Sequence, residues 1–136
     1  MEGNRKIHCE SISKCGKRTN NEDSFNIIDA PEQDRWFGIV CDGLGGHPHG
    51  EVVSKTVCDA VSEYWENHTD DSDNKDKVLA ACKYAQSKLD QKSDELNHVR
   101  MGTTLVMASI HNDEVTIAWL GHSRAYYVSP KSDQFL

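Results

Sequence analysis

The sequence predicts a layered α+β domain in which two helices pack on an antiparallel sheet. Three observations carry that prediction. A short apolar run rich in β-formers at 36–41 ends in a glycine-dense stretch, two stretches after it repeat apolar residues every three or four positions, and the last third returns to β-rich runs. Strands that come in groups, rather than alternating one for one with helices, favour antiparallel pairing over a doubly wound parallel sheet.

Taken in order, two weaker strands are expected at 7–12 and 24–28. The run Trp36-Phe-Gly-Ile-Val-Cys41 reads as a strand buried on both faces. A helix should follow over 51–66, with Val53, Val57, Ala60, Val61 and Tyr64 on one stripe. A second amphipathic pattern spans 75–96, with Val78, Cys82, Ala85 and Leu89 on its apolar face. Between them, 67–76 has no apolar anchor and reads as a solvated surface loop. The runs 104–110 and 115–120 predict a hairpin whose turn is the four residues His111-Asn-Asp-Glu114, and 125–128 a further antiparallel strand. A chain of 136 residues fits a single domain, 1–136.

Charge narrows the partners. With 15 basic against 22 acidic residues the chain is poorly suited to phosphate backbones, which makes nucleic acid an unfavoured partner and divalent cations a natural one. The five cysteines are odd in number and none pair in a CxxC spacing, so free thiols in a reducing compartment are expected. No apolar leader and no membrane-length run stand out, and the expectation is a soluble, cytoplasmic protein that does not engage a membrane.

Two clusters could carry chemistry. Arg18-Thr-Asn-Asn-Glu22-Asp23 places a guanidinium and adjacent carboxylates in a turn; Asp42-Gly-Leu-Gly-Gly-His-Pro-His-Gly50 places a carboxylate where a strand meets a helix, among glycines that let a ligand approach the backbone. Phosphate-loop readings of the second cluster fail, since no Gly-Lys-Ser/Thr follows and Pro48 stands where a dinucleotide fingerprint needs its third glycine. An EF-hand starting at Asp71 fails as well, with Lys75 at its fifth position and Asp76 at the turn glycine. His47 and His49 flank a proline and lack a third nitrogen or sulfur partner for zinc. No Gly-x-Ser-x-Gly elbow is present, and Ser123 follows a histidine without a visible third partner. What remains is an oxygen-rich set, Glu22, Asp23 and Asp42, suited to a hard cation such as magnesium or manganese, with Arg18 able to grip a phosphate.

Four ordered motifs then carry a resemblance. Gly16-Lys-Arg18-Thr-Asn-Asn21-Glu22-Asp23, Asp42-Gly-Leu-Gly-Gly-His47 with Gly50-Glu51, Met101-Gly-Thr-Thr-Leu105 and Gly121-His-Ser-Arg-Ala-Tyr126 resemble the successive motifs of the metal-dependent protein phosphatase 2C family, its bacterial members most. The resemblance implies an αββα sandwich of antiparallel sheets flanked by helices, of which this chain would hold the N-terminal portion, incomplete at its C-terminus. It implies hydrolysis of phosphoserine and phosphothreonine in proteins, in signalling, by a hydroxide bridging two Mn2+ or Mg2+ ions. By resemblance Asp42 would bridge the metals, Glu22 and the carbonyl of Gly43 would hold one, Asp23 would support that shell, and Arg18 would bind the substrate phosphate.

The chain departs from the family pattern at Leu44, where many eukaryotic members have histidine, and at His122, where a carboxylate is usual. Two later aspartates that complete the family's metal shell have no counterpart here. Those departures open a second reading, a non-catalytic pseudophosphatase that binds a phosphoprotein or a partner through the Arg18 region. They also allow self-association, or a partner chain that completes the sheets.

Overall fold

The computed structural model describes residues 7–17, 20–44, 49–98 and 101–129, together with the backbone of 133–135. Its strands are β1 (Asp23–Ala30), β2 (Arg35–Asp42), β3 (Leu105–His111), β4 (Glu114–Leu120), β5 (Tyr126–Val128) and β6 (Asp133–Phe135), and its helices are α1 (Gly50–Asn67) and α2 (Lys75–Glu95). β1 to β4 form one antiparallel sheet in sequential order, while β5 and β6 pair in a separate two-stranded sheet. The α+β class is therefore as expected, and β5 leaves the main sheet instead of extending its meander.

Both helices lie on one face of the sheet, because only that face alternates in step with their stripes. Phe37, Ile39 and Cys41 of β2 and Leu105 and Met107 of β3 join Val57, Val61 and Trp65 of α1 and Ala81 and Ala85 of α2 in one buried cluster. Phe37 stacks on Trp65 with ring centroids 5.2 Å apart. Burying side chains of this size stabilises the fold by about 1.5–3 kcal/mol each.

Four expectations change. β2 is buried on one face only, since Val40 on the opposite face is 46% exposed, as is Phe25 of β1 at 44%. Residues 7–12 form no strand and are largely exposed. The β3–β4 turn is two residues long, Asn112-Asp113, both with positive φ (50° and 70°), and His111 pairs directly with Glu114. That left-handed pair matches the right-handed twist of the strands, which is why Asn and Asp are suited to it.

The fourth change concerns the 67–76 loop, which is pinned at its end. The Asp73 carboxylate is 7% exposed and receives the Lys77 ammonium at 2.8 Å, with the Arg35 guanidinium 3.8 Å away. Ser109 donates its hydroxyl to Asp73 and accepts from the Trp65 indole at 3.2 Å. Thr116 donates to the Asp73 carbonyl at 2.9 Å, and Lys77 sits 4.3 Å over the Trp65 ring. Lys77 occupies the helix stripe that hydropathy assigns to solvent, and the charge partner that permits its burial lies four residues upstream.

Burial alone would push the Asp73 carboxyl up, yet the hydrogen bonds from Lys77 and Ser109 and the charges of Lys77 and Arg35 together hold it below the usual carboxylate range. A carboxyl lowered on folding contributes stability that is present above its unfolded value near pH 4 and is lost as pH falls through its folded value. Asp73→Ala should cost about 3–5 kcal/mol at pH 7, because Lys77 would remain buried and unpaired. Urea unfolding followed by circular dichroism checks this, and the variant should also lose less stability than the parent between neutral and strongly acid pH.

Candidate functional site

The open end of the β1–β2 ladder sets Asp23 opposite Asp42. Pairing runs one step past the strands, with the Gly43 N–H donating to the Glu22 carbonyl at 3.0 Å. On the other side of β2, the Thr104 N–H donates to the Asp42 carbonyl at 2.8 Å and the Leu44 N–H to the Gly102 carbonyl at 3.1 Å. The main chain of Asp42 and Gly43 is thus held from both sides within the sheet.

The start of α1 closes the site from the helix side. A Cβ on Gly43 would stand 2.4 Å from the Gly50 carbonyl oxygen and 3.0 Å from that of Glu22, so two backbones touch where any side chain would intrude. A Cβ on Gly50 would stand 2.6 Å from Glu22 Oε2. The Glu22 carboxylate therefore rests against the first residue of an 18-residue helix, at the positive end of its dipole. Glu22 Oε2 is buried and, among the described residues, has no hydrogen-bond partner. A buried acceptor without a donor is costly, and such an atom at a site of this kind points to an ion.

The turn before β1 is braced by side chains. Asn21 accepts from the Asp23 N–H at 3.1 Å and donates to Ser13 at 2.9 Å, while Asn20 donates to Glu51 at 2.9 Å. Asn20, Asn21 and Glu51 stand in the motifs without an evident chemical reason to choose them over their neighbours. The structure supplies one, since they tie the Glu22 turn to 13 and to α1. Asp23 is exposed at the strand end, and His122 is exposed in the turn after β4. Arg18 lies outside the described residues, as do 45–48.

The oxygen donors brought to this strand end are the carboxylates of Glu22 and Asp42, with Asp23 adjacent, and the carbonyl of Gly43. Among the described residues no group of three or more His, Cys, Asp or Glu side chains is placed to hold a metal ion. Hard cations take six or more oxygens. The donor chemistry and the orphaned Glu22 oxygen fit Mg2+ or Mn2+, and they supply one part of such a shell.

The antiparallel α+β sheet thus presents carboxylates and a backbone carbonyl at a strand end, against a helix start that two glycines bring close. The protein phosphatase 2C family model matches residues 13–135, and the chain belongs to that family. It is 31% identical over 136 residues to the serine/threonine phosphatase Stp of Listeria monocytogenes, a match covering 88% of this chain and 49% of that protein. The crystal structure of the serine/threonine phosphatase Stp1 from Staphylococcus aureus superposes with a TM-score of 0.75 at 27% identity, over 99% of this chain and 56% of that one. The catalytic domain of the serine threonine protein phosphatase PstP, solved in complex with two manganese ions, superposes with a TM-score of 0.67 at 26% identity, over 88% and 49% of the two chains. The chain thus spans about half the length of the relatives it matches. Among the described residues no helix is long and apolar enough to cross a membrane.

The two glycines should respond differently to alanine. Gly43→Ala meets main-chain atoms that cannot give way and should destabilise the fold by about 1–3 kcal/mol. Gly50→Ala meets the mobile end of Glu22, and relief of the helix-propensity penalty of up to about 1 kcal/mol offsets part of the strain. Thermal unfolding of the two variants should therefore show the larger loss for Gly43→Ala.

Proposed function

We propose that the protein to which this chain belongs hydrolyses phosphoserine and phosphothreonine in protein substrates with two divalent cations, Mn2+ or Mg2+. The observation that carries the reading is the buried, partnerless Glu22 Oε2 beside the doubly held Asp42–Gly43 strand end. Family membership and the manganese-bound PstP relative support it. When bound, the cations supply a water nucleophile at neutral pH and neutralise charge on the phosphoryl group.

In this reading Asp42 would hold the cations from the centre of the sheet, Glu22 and the Gly43 carbonyl would help to hold one of them, and Asp23 would support that shell. Arg18 grips the substrate phosphate with two parallel N–H donors, which suits a tetrahedral oxyanion better than a point charge would. No side chain needs to form a covalent bond to phosphorus. The oxygens that complete the shell come from outside the described residues.

A second reading, a non-catalytic member that binds a phosphoprotein, is favoured by His122, whose imidazole replaces a carboxylate and is a poor ligand for a hard cation. Hydrolysis of a simple phosphomonoester with and without Mn2+, for the protein to which this chain belongs and its Asp42→Ala variant, separates the two. Turnover that needs both the cation and Asp42 is the expected outcome, and Asp42→Ala should weaken Mn2+ binding by at least about 10–100-fold in calorimetry. Manganese binding that persists in Asp42→Ala would contradict the assignment of the seat, and binding without turnover would favour the second reading.

A further inference from the structure

We propose that the hydroxyls of Thr104 and Ser123 form a latch that fixes the main chain of Asp42, which makes both of them positioning residues for the cation seat. The latch stands on hydrogen bonds alone; its consequence for cation binding rests on the two-cation reading above.

β2 and β3 pair in regular register from Arg35 opposite His111 to Val40 opposite Val106. Two residues further, where Asp42 stands opposite Thr104, the ladder's hydrogen bonding departs from regularity. The Thr104 N–H still donates to the Asp42 carbonyl at 2.8 Å, but the return bond from the Asp42 N–H goes to Thr104 Oγ1 at 3.2 Å. In a regular antiparallel pair it would go to the Thr104 carbonyl. That carbonyl instead accepts from the Thr103 hydroxyl at 2.9 Å. A side chain has thus replaced a backbone group in the ladder at the residue that presents the central carboxylate.

The substituted hydroxyl is itself held. Thr104 is 8% exposed, and its Oγ1 lies 2.5 Å from Ser123 Oγ. An arrangement in which Thr104 Oγ1 accepts from the Asp42 N–H and donates to Ser123 Oγ satisfies the Asp42 amide and uses the Thr104 hydroxyl as both acceptor and donor. The methyl of Thr104 has a separate task. Gly121 has φ +85°, and a Cβ there would stand 2.9 Å from Thr104 Cγ2, so the methyl seats the turn that carries Ser123. One side chain therefore joins the β4–β5 turn to the main chain of Asp42, with no contact to a cation required.

Valine at 104 keeps the shape and removes the hydroxyl; serine keeps the hydroxyl and removes the methyl. If the latch positions Asp42, the Asp42 amide in cation-free Thr104→Val and Ser123→Ala should exchange with solvent about fivefold faster or more, the equivalent of one lost net hydrogen bond. Mn2+ affinity by calorimetry should fall by about 10–100-fold in Thr104→Val, as for other residues that orient a ligand from behind. Thr104→Ser should restore both values, a rescue that general loss of packing would not give. Ser123→Ala, in a turn, keeps the test open should Thr104→Val unfold. Unchanged Asp42 exchange in both hydroxyl-deleted variants, or Thr104→Ser behaving like Thr104→Val, would overturn the latch. Should the parent chain, which supplies only part of the shell, bind no Mn2+, amide exchange decides the latch alone.

Discussion

Where Gly43 leaves the central strand and Gly50 opens α1, two backbones meet with no side chain between them, and the geometry of the site follows from that contact. The Gly43 Cα faces the Gly50 carbonyl, and the Glu22 carboxylate fills the space that a side chain on Gly50 would take. Strand end, helix start and the turn before β1 are thereby brought to one place. A larger residue at either glycine would separate the carboxylates from the backbone carbonyl that accompanies them. Among the described residues Glu22 Oε2 has no donor, and a buried acceptor left so is costly.

The far end of α1 is held by different physics. Asp73 gathers Lys77, Arg35 and Ser109 into a buried network that ties the interhelical loop to three strands. Between these two anchors the helix presses Val57, Val61 and Trp65 onto the sheet. A helix fixed at both ends is a rigid support for the groups at its start, and rigid elements hold ligand geometry better than loops do. The thiols of Cys41 and Cys58 lie inside this packed region, where the hydrogen bond between them and then burial push Cys41 up. The same hydrogen bond draws Cys58 down.

Much of this was legible in sequence because it rests on period and spacing. The two helices and β2 to β4 announce themselves by apolar repeat, and the site motifs by glycine next to carboxylate. What was hidden has physical reasons. Lys77 and Asp73 look solvated until their pairing and the Trp65 ring are seen, since hydropathy scores each residue alone. Asn112-Asp113 sits inside the longer turn that the sequence predicts, because left-handed backbone leaves only a weak trace in residue type. The strand expected at 7–12 has no paired partner, and propensity without a ladder does not make a strand. The roles of Thr104 and Ser123 depend on a local break in the ladder, which no spacing rule encodes. Arg18 lies outside the described residues, so its part in phosphate binding stands on the family pattern.

The central claim is that one strand end, built from Glu22, Asp42 and Gly43, is the seat of a divalent cation. Paramagnetic broadening of backbone amide resonances on titration with Mn2+ tests it most directly, because the effect falls off steeply with distance from the ion. The account predicts that signals of Glu22, Asp23, Asp42, Gly43 and Gly50 broaden first, while those of the acidic loop at 70–73 persist. Broadening that starts at that loop, or spreads evenly over the chain, would contradict it.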